Sequence, residues 1–332
     1  MRKRYPLNQS PFYRLQRRKA LGELLGMTSR ALETLANSAL ADYRCFERVT
    51  PRIGKQPKRR WIEWPQGGLR QVQRSVAKLL DRIEPPLYIH SGFRGRSYVT
   101  NANQHRHDVR VAKIDIRAFF PNASWRYVHR CFQDLFLCSP DVAAILTKLT
   151  TISGHLPTGG NTSTIISFYT YKPMFDEIYE LAVARGLVMS CCVDDMTFSG
   201  DGATSGFLNE VRIIVGRYGL KTHKRHCFEP GQTKVVTGLA LTPQGVRLPN
   251  ARRKKLHETL DAFDREPDWK KRVKLGEQLL GRITEAAQIE QQFRPLMRIA
   301  AIRVKEAKQE QHDASRTGRR RRLVPAKLGI LA

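Results

Sequence analysis

The sequence predicts an α+β fold, in which amphipathic helices and short apolar strands are interspersed along the chain. The clearest helix lies over residues 69–83, where apolar side chains recur at every third or fourth position. Strands are indicated by apolar runs over residues 109–116 and 187–199, which also carry aspartates. With 332 residues the chain can bury a sizeable core and has room for two or three subdomains.

The N-terminal part is predicted to be mainly helical. Ser10 followed by proline predicts a helix start, because a capping hydroxyl precedes proline at the first helical position. Leucines at helical spacing then predict two helices with a break near Gly26. Residues 52–60 are predicted to form a basic loop and residues 61–64 a short strand, before the helix over residues 69–83 that two prolines end.

The remaining elements follow from the same patterns. They are a strand over 109–116, helices over 124–137 and 139–151, a glycine-containing loop over 156–161, a long helix ending near Gly186, strands over 187–193 and 196–199, a helix over 205–218 and a strand over 234–241. After Pro249 the sequence becomes helical and basic, and it contains no internal repeat.

The charge balance points to a polyanionic partner. Lysine and arginine total 58 against 30 acidic residues, a formal net charge of +28. DNA or RNA is the usual partner of such a chain, and an anionic membrane surface is the alternative. No run approaches the roughly 20 apolar residues of a transmembrane helix, and the basic N-terminus lacks the apolar segment of a secretory signal. We therefore expect a cytoplasmic protein without a membrane partner.

The six cysteines include no C-x-x-C pair, so their spacing supports neither a disulfide scaffold nor a zinc ribbon. One alternative is a metal site, and the favoured interpretation is ordinary core or surface thiols. The residues that could converge on a metal are Cys191, Cys192, His223, His226 and Cys227.

Three aspartates stand out in this basic chain. Asp194 and Asp195 occupy the expected turn between two apolar strands, where they repel each other unless a cation lies between them. Asp115 ends another predicted strand and would complete an oxygen cluster suited to magnesium. Two such ions support in-line phosphoryl transfer. A solvated turn is the alternative, but the apolar flanks, Asp115 and the basic charge favour the cluster.

Six short motifs, taken in order, resemble those of bacterial retron reverse transcriptases. They are the fingertip segment over residues 88–97, Asn101-Ala102-Asn103-Gln104-His105, the segment 113–120 with Asp115 and two aromatics, Leu156-Pro157-Thr158-Gly159, Val193-Asp194-Asp195, and Val236-Thr237-Gly238. Each motif is short, and the resemblance rests on their joint occurrence in family order over residues 88–238. The flanking helices also fit the family, so the resemblance covers nearly the whole chain.

The resemblance implies a right-hand polymerase. Residues 1–108 would form N-terminal helices and fingers, 109–249 the palm, 250–315 a small helical thumb and 316–332 a basic tail, disordered or bound along phosphates. It also implies an RNA-directed DNA polymerase that copies a structured non-coding RNA from its own locus into short single-stranded DNA. Priming from an RNA 2′-hydroxyl would give branched RNA-linked DNA, and an effector protein from the same locus would join it in anti-phage defence.

The resemblance also implies roles for single residues near the metals. Asp115 and Asp194 would bind both magnesium ions with help from the carbonyl of Ile116, and Asp195 would bind more loosely. Phe120 would reject ribonucleotides by crowding their 2′-hydroxyl, with Phe119 in the core; without the resemblance, both rings would be assigned to the core.

The incoming deoxynucleoside triphosphate has its own set of implied contacts. Arg94 and Arg96 lie in the segment that grips the triphosphate, and a solvated surface charge is the alternative for each. Thr158 and Gly159 would border the nucleotide and template base. Thr158 replaces the family's usual glutamine, which puts that side chain's contact in doubt, and Val193 replaces alanine.

Further residues are implied to contact nucleic acid or to donate a proton. Asn101 and His105 belong to a surface for the cognate RNA, or else have structural roles. His226 stands where the family has a lysine and is a candidate general acid; Lys224 is its rival, and plain phosphate binding by this loop is favoured over either. Sequence-independent contacts to the duplex backbone are expected from Arg252, Arg253, Lys254 and Lys255.

Two other functions remain open. A group II intron or diversity-generating reverse transcriptase is the alternative among enzymes, although the chain is short for an intron protein. A catalytically silent RNA-binding scaffold is the alternative of another class, and the three intact aspartates argue against it.

Overall fold

The computed structural model describes residues 3–52 and 55–317, and it confirms the predicted mixture of helices and antiparallel sheets. The chain divides into two compact units, Met1–Gln232 and Thr233–Ala332. The second unit therefore contains the strands before Pro249 as well as the helices after it. The assignment of fingers, palm and thumb to these parts stays a prediction.

The first unit begins with a short 3-10 helix, Leu7–Gln9, followed by α1 (Arg18–Leu25) and α2 (Ser29–Ser38). The predicted helix start at Ser10 is wrong, because Ser10 Oγ accepts a hydrogen bond from the Phe12 N–H at 3.3 Å within a turn. The predicted break is confirmed: Gly26 adopts φ of 72° after α1, and Thr28 caps α2.

A long antiparallel hairpin follows, formed by β1 (Tyr43–Arg52) and β2 (Lys55–Pro65). The predicted basic loop over residues 52–60 is therefore wrong, since Arg52 and residues 55–60 belong to the same ribbon as the predicted strand over 61–64. Most described side chains of the ribbon are at least partly exposed, so the sequence lacks the apolar alternation that marks a half-buried strand. Backbone pairing holds the ribbon together, and Glu63 is buried near its base.

The predicted helix over residues 69–83 is confirmed as α3 (Gly67–Leu80). Its apolar stripe is the buried face, which includes Leu69, Val72 and Val76. A short helix, α4 (Tyr98–Ala102), begins with a capping box in which Ser97 and Thr100 bond each other's backbone.

A four-stranded antiparallel sheet carries the three aspartates. Its strands are β3 (Val111–Ile116), β4 (Val188–Cys192), β5 (Asp195–Ser199) and β6 (Thr222–Phe228), in the order β4-β5-β3-β6. The first three were predicted and are confirmed. Strand β6 was not predicted, because its side chains are polar or charged apart from Cys227 and Phe228 and show no apolar alternation.

Helices pack around this sheet and complete the core of the first unit. They are α5 (Phe119–Asn122), α6 (Trp125–Arg130) with a π-helical turn over Cys131–Leu135, α7 (Pro140–Thr150), α8 (Ser163–Thr170), α9 (Lys172–Ala184) and α10 (Ser205–Arg217). The predicted single helix from the glycine loop to Gly186 is wrong, because it breaks at Tyr171. Pro173 explains the break, since it lacks the N–H of a continuous helix and restricts the residue before it.

The second unit combines a small sheet with three helices. The strands are β7 (Lys234–Val236), β8 (Leu239–Thr242) and β9 (Gly245–Arg247), and the helices are α11 (Asn250–Arg265), α12 (Trp269–Ile289) and α13 (Arg294–Thr317). The single strand predicted over residues 234–241 is wrong, because Thr237 and Gly238 adopt φ of 46° and 81° and turn the chain between β7 and β8.

The helices of this unit bury an apolar core of their own, in which Leu256, Phe263 and Ile283 take part. Side chains beyond Asp313 and the chain beyond Thr317 lie outside the described residues, and the predicted basic tail falls there. Within residues 3–52 and 55–317, no helix has the length and apolar character needed to cross a membrane.

Candidate active site

The three predicted aspartates meet at one end of the four-stranded sheet. Asp115 and Asp195 are directly opposite each other on β3 and β5. Asp194 precedes Asp195 in the turn after β4, and its carbonyl accepts a hydrogen bond from Ile116 N–H at 3.0 Å. Val193 enters this turn with φ of 64°, an uncommon conformation for a β-branched residue, and donates its N–H to Ser91 Oγ at 2.8 Å. Residues 79 positions apart in the chain therefore form one acidic cluster.

The electrostatics of the cluster favour a bound cation. Burial and the nearby charge of Asp115 raise the pKa of Asp194 to about 6. The pKa of Asp195 is raised as well, by burial and by Asp115, while Lys113 opposes that rise. Mutual repulsion between carboxylates is what a positive ion between them would relieve.

Nitrogen-bearing side chains from two strands already contact the cluster. Lys113 Nζ lies 3.5 Å from Asp195 Oδ2. On the other side, His223 Nε2 contacts Asp115 Oδ1. Lys224 Nζ donates to Asp115 Oδ2 at 3.0 Å.

A β-bulge in β6 explains why two consecutive residues contact the same aspartate. Lys113 pairs with His226 and Asp115 with His223, so Lys224 and Arg225 together lie opposite the single residue Ile114. Lys224 adopts φ of 51° at this irregularity. In a regular strand neighbouring side chains point to opposite faces, and the bulge removes that alternation.

The donor set fits magnesium in its chemistry, since carboxylate oxygens are the ligands that hard divalent cations prefer. As oriented, the side chains of the described part of the chain include no group of three or more His, Cys, Asp or Glu residues arranged to hold a metal ion. Asp115 points toward His223 and Lys224 instead. Binding of metal by all three aspartates would therefore require Asp115 to reorient, and the role of the Ile116 carbonyl stays a prediction.

The two aromatics after Asp115 differ in exposure. Phe119 is buried, as predicted, against Tyr171 and Phe175. Phe120 is half-buried and stacks on Phe119 with ring centroids 6.0 Å apart. A half-exposed ring suits contact with a nucleotide, although its selective role stays a prediction.

The glycine loop, residues 156–161, lies against β2. Thr158 donates its N–H to Glu63 Oε2 at 2.9 Å, and its carbonyl accepts a hydrogen bond from Glu63 N–H at 2.8 Å. Gly159 is exposed with φ of 119°, and a β-carbon at this position would lie 3.1 Å from Ile62 Cγ2. Glycine is therefore required by both the backbone conformation and the close approach of β2.

Of the two arginines of the fingertip segment, Arg94 is exposed and Arg96 is half-buried. Arg94 is exposed and donates its backbone N–H to Asp81 at 2.6 Å. Arg96 reaches the carbonyl of Leu87 at 3.4 Å. Their predicted contact with a triphosphate stays untested.

Asn101 and His105 are buried, which favours their structural alternative over direct contact with RNA. The two ring nitrogens of His105 bond Ser199 Oγ at 2.8 Å and Ser190 Oγ at 2.7 Å, joining the segment after α4 to β4 and β5. Burial, then His90 and Lys113, lower the pKa of His105 to about 3, so the ring is neutral.

The four basic residues at the start of α11 divide into two pairs. Arg252 pairs with Glu285 at 2.7 Å, and Arg253 bonds the buried carboxylate of Glu290 at 2.6 Å. Lys254 and Lys255 are exposed and remain the better candidates for phosphate contacts.

The remaining sequence candidates have other environments. His226 is exposed and its ring tilts against Phe228 at 6.2 Å, whereas its rival Lys224 contacts Asp115. Cys191 is buried, and burial raises the pKa of its thiol well above the ordinary value, as expected for a core thiol. Neither Glu63 nor the contact of His223 with Asp115 was predicted from the sequence. The available signal for Glu63 was that it is a lone acidic residue in a basic segment.

No protein-family model matches the chain. The Retron Se72 reverse transcriptase of Salmonella heidelberg is 30% identical over 233 residues, which cover 66% of this chain and 60% of that protein. The Retron Mx162 reverse transcriptase of Myxococcus xanthus is 27% identical over 59% of this chain and 48% of that protein. The Retron Ec86 reverse transcriptase of Escherichia coli is 24% identical over 62% of this chain and 66% of that protein.

These matches confirm the predicted resemblance to retron reverse transcriptases. The chain spans between about half and two thirds of the length of the three relatives named.

Proposed function

From this likeness, we propose that the chain is a retron-type reverse transcriptase, an RNA-directed DNA polymerase whose catalytic carboxylates are Asp115, Asp194 and Asp195. The observation that carries the proposal is the pairing of Asp115 with Asp195 across β3 and β5, with Asp194 in the adjoining turn. In this function the first unit would supply fingers and palm, and the helices of the second unit would serve as the thumb of a right-hand polymerase.

Two magnesium ions, when bound, would lower the barrier to attack by a hydroxyl on the α-phosphate and neutralise charge on the departing pyrophosphate. Asp115 and Asp194 would hold them, with Asp195 more loosely attached. His223 and Lys224 would lose their contacts with Asp115 when it reorients. Both side chains would then be available to donate hydrogen bonds to phosphate oxygens.

The nucleotide would lie between Phe120 and the glycine loop. Phe120 would exclude a 2′-hydroxyl through its bulk, and the backbone at Thr158 and Gly159 would border the base pair. Because a hydroxyl has little room beside a half-buried ring, deoxynucleoside triphosphates are the proposed substrates.

The template in this proposal is a structured non-coding RNA. A primer that is an internal RNA 2′-hydroxyl would give branched RNA-linked DNA, and an effector protein and anti-phage defence belong to the same proposal. Its supports are the similarity to retron reverse transcriptases and the net charge of +28, which suits a polyanionic template.

The test is polymerisation by the purified protein with the RNA that co-purifies with it. Magnesium and labelled deoxynucleotides are added, and products are resolved before and after ribonuclease and debranching treatment. Labelled DNA that changes mobility on debranching is the expected result. Linear DNA from any primed template would instead favour a group II intron-like or diversity-generating activity, and absence of labelled DNA would favour an RNA-binding scaffold.

A matched pair of variants ties the signal to the acidic cluster. Asp194→Asn removes one proposed ligand with little change in size, and we expect loss of at least about a hundredfold in rate. Asp201→Asn, in an exposed turn after β5, is the control and should retain activity. Equal activity in both variants would contradict the proposed active site.

A further inference from the structure

A buried acidic side chain joins the β1–β2 hairpin to the glycine loop. Glu63, 6% exposed, accepts hydrogen bonds from His155 Nε2 at 3.0 Å and from Thr158 N–H at 2.9 Å. Its backbone N–H also donates to the Thr158 carbonyl at 2.8 Å. A buried carboxylate is costly unless it is fully bonded, so these contacts account for its presence in the interior.

The glycine loop is fixed at its other end by a second buried polar residue. Gln73 of α3 is fully buried, and its Oε1 accepts a hydrogen bond from Asn161 N–H at 3.1 Å. Its amide donates to Tyr43 OH at 2.7 Å, and Tyr43 begins β1. Both ends of the loop are therefore bonded, directly or through one side chain, to the base of the hairpin.

Other contacts place His155 and Leu156 beside the segment that carries Phe120. His155 pairs with Ser124 in an isolated bridge, and Leu156 N–H bonds the Ala123 carbonyl at 3.2 Å. Glu63 thus links three parts of the proposed nucleotide site, namely the hairpin, the glycine loop and the end of α5.

We infer that Glu63 is a positioning residue that sets the place of Thr158 and Gly159 against an incoming deoxynucleoside triphosphate, with His155 as its partner. This inference rests on the proposed polymerase function and assigns a determinant of nucleotide affinity within it. The side chain touches the loop and not the substrate. Because Thr158 loses a charged acceptor when Glu63 is removed, the loop backbone shifts and binding of the nucleotide weakens.

The predicted signature is a change in KM that separates from kcat. Glu63→Ala should raise KM for deoxynucleotides about tenfold or more, with kcat within about threefold, because binding is lost equally before and during the reaction. Glu63→Gln should stay within about threefold in KM. Its amide oxygen still accepts from Thr158 N–H, and its NH₂ can donate to His155 Nε2 in the ring tautomer that carries its hydrogen on Nδ1.

Glu47→Ala is the matched control on the same hairpin. The side chain of Glu47 is 42% exposed and forms a salt bridge with Arg59 at 2.8 Å within the same ribbon. Its removal should leave KM unchanged. Amide exchange of the peptide covering residues 153–162 supplies a readout independent of turnover, and only Glu63→Ala should accelerate it.

His155→Ala tests the partnership within the same assay. If both residues act through one contact, the double variant with Glu63→Ala should raise KM no further than Glu63→Ala alone. Additive effects of the two substitutions would contradict a shared role.

The outcomes separate this inference from the proposed function. Absence of nucleotide incorporation by the unmodified chain would refute the polymerase and the inference with it. Robust incorporation combined with an unchanged KM in Glu63→Ala would overturn the inference alone. If Glu63→Ala fails to fold, Glu63→Gln and His155→Ala decide the question. A tenfold rise in KM for the Glu63→Gln variant would show that the charge of the side chain matters rather than its bonding geometry, and it would overturn the positioning role.

Discussion

Lowering the pH should destabilise the first unit through His105, and the size of the effect follows from its burial. The pKa of His105 is lowered to about 3 by burial, then by His90 and Lys113, whereas an unfolded histidine has a pKa of about 6.5. The folded state therefore binds fewer protons than the unfolded state. The stabilising contribution is complete above about pH 6.5 and is lost progressively as the pH falls toward the folded pKa.

The expected loss between pH 7 and pH 5 is about 2 kcal/mol for His105. His90, whose pKa is lowered to about 4 chiefly by burial, adds a loss of similar size. Asp194 changes the free energy of unfolding in the opposite direction. Its pKa is raised to about 6 in the folded state, so the folded state binds a proton there as the pH falls to 5, which stabilises it by about 1 kcal/mol. The net result is a chain that is less stable in mild acid.

Urea unfolding of the wild type and of His105→Gln at both pH values isolates the contribution of one ring. Glutamine can still bond Ser190 and Ser199 but does not titrate, so the variant should lose about 2 kcal/mol less than the wild type between pH 7 and pH 5. Tryptophan fluorescence in a Trp269→Phe background follows the first unit, which contains Trp61, Trp64 and Trp125, because Trp269 lies in the second unit. An identical pH dependence in both proteins would refute the assignment of a buried neutral histidine.

Three further predictions concern Phe120, a pair of glutamates and a pair of glycines. Phe120→Val should raise ribonucleotide incorporation relative to deoxynucleotides by about tenfold or more, measured with single labelled nucleotides, and unchanged discrimination would contradict a selective role for the ring. Glu290→Gln should destabilise the second unit by about 2–3 kcal/mol, because the buried carboxylate bonds Arg247 and Arg253. Glu285→Gln, which affects a half-exposed ion pair, should cost under about 1 kcal/mol. Hydrogen exchange of the second unit compares the two variants. Gly281→Ala should stabilise α12 by about 0.5–1 kcal/mol, since no other atom lies within 4 Å of the added methyl group. Gly276→Ala should destabilise α12 by about 1 kcal/mol, because its methyl group would lie 2.9 Å from Phe263 and Val304. Thermal unfolding that shows the same sign for both variants would contradict the packing.

The sequence predicted the acidic cluster because each aspartate is attached to an apolar strand. Strands β3, β4 and β5 are buried over most of their length, so their composition marks them as the centre of a sheet. Because Asp115 and Asp195 stand at the ends of strands that belong to the same central sheet, they are expected to lie close together. The resemblance then supplied the chemistry that local patterns do not contain.

The hairpin and β6 could not be predicted in this way. Their residues are mostly polar or charged, and most of the described side chains are at least partly exposed. They are strands because the backbone finds a partner, not because a face is buried. The contact of Lys224 with Asp115 depends on a one-residue change of register between β3 and β6, which is a tertiary property. By contrast, the missed break between α8 and α9 could have been predicted, because Pro173 is visible in the sequence.

The position of β6 at the end of the sheet has a consequence for self-association. An open strand edge can recruit the same edge of another copy through its unused backbone groups. Here the outermost strand contains a bulge and exposes Lys224 and Arg225, so two such edges would meet with like charges and mismatched hydrogen-bond ladders. At the opposite side, residues 88–90 bond Cys191 and shield β4. The same irregularity that directs bases toward Asp115 therefore also protects the sheet from pairing edge to edge.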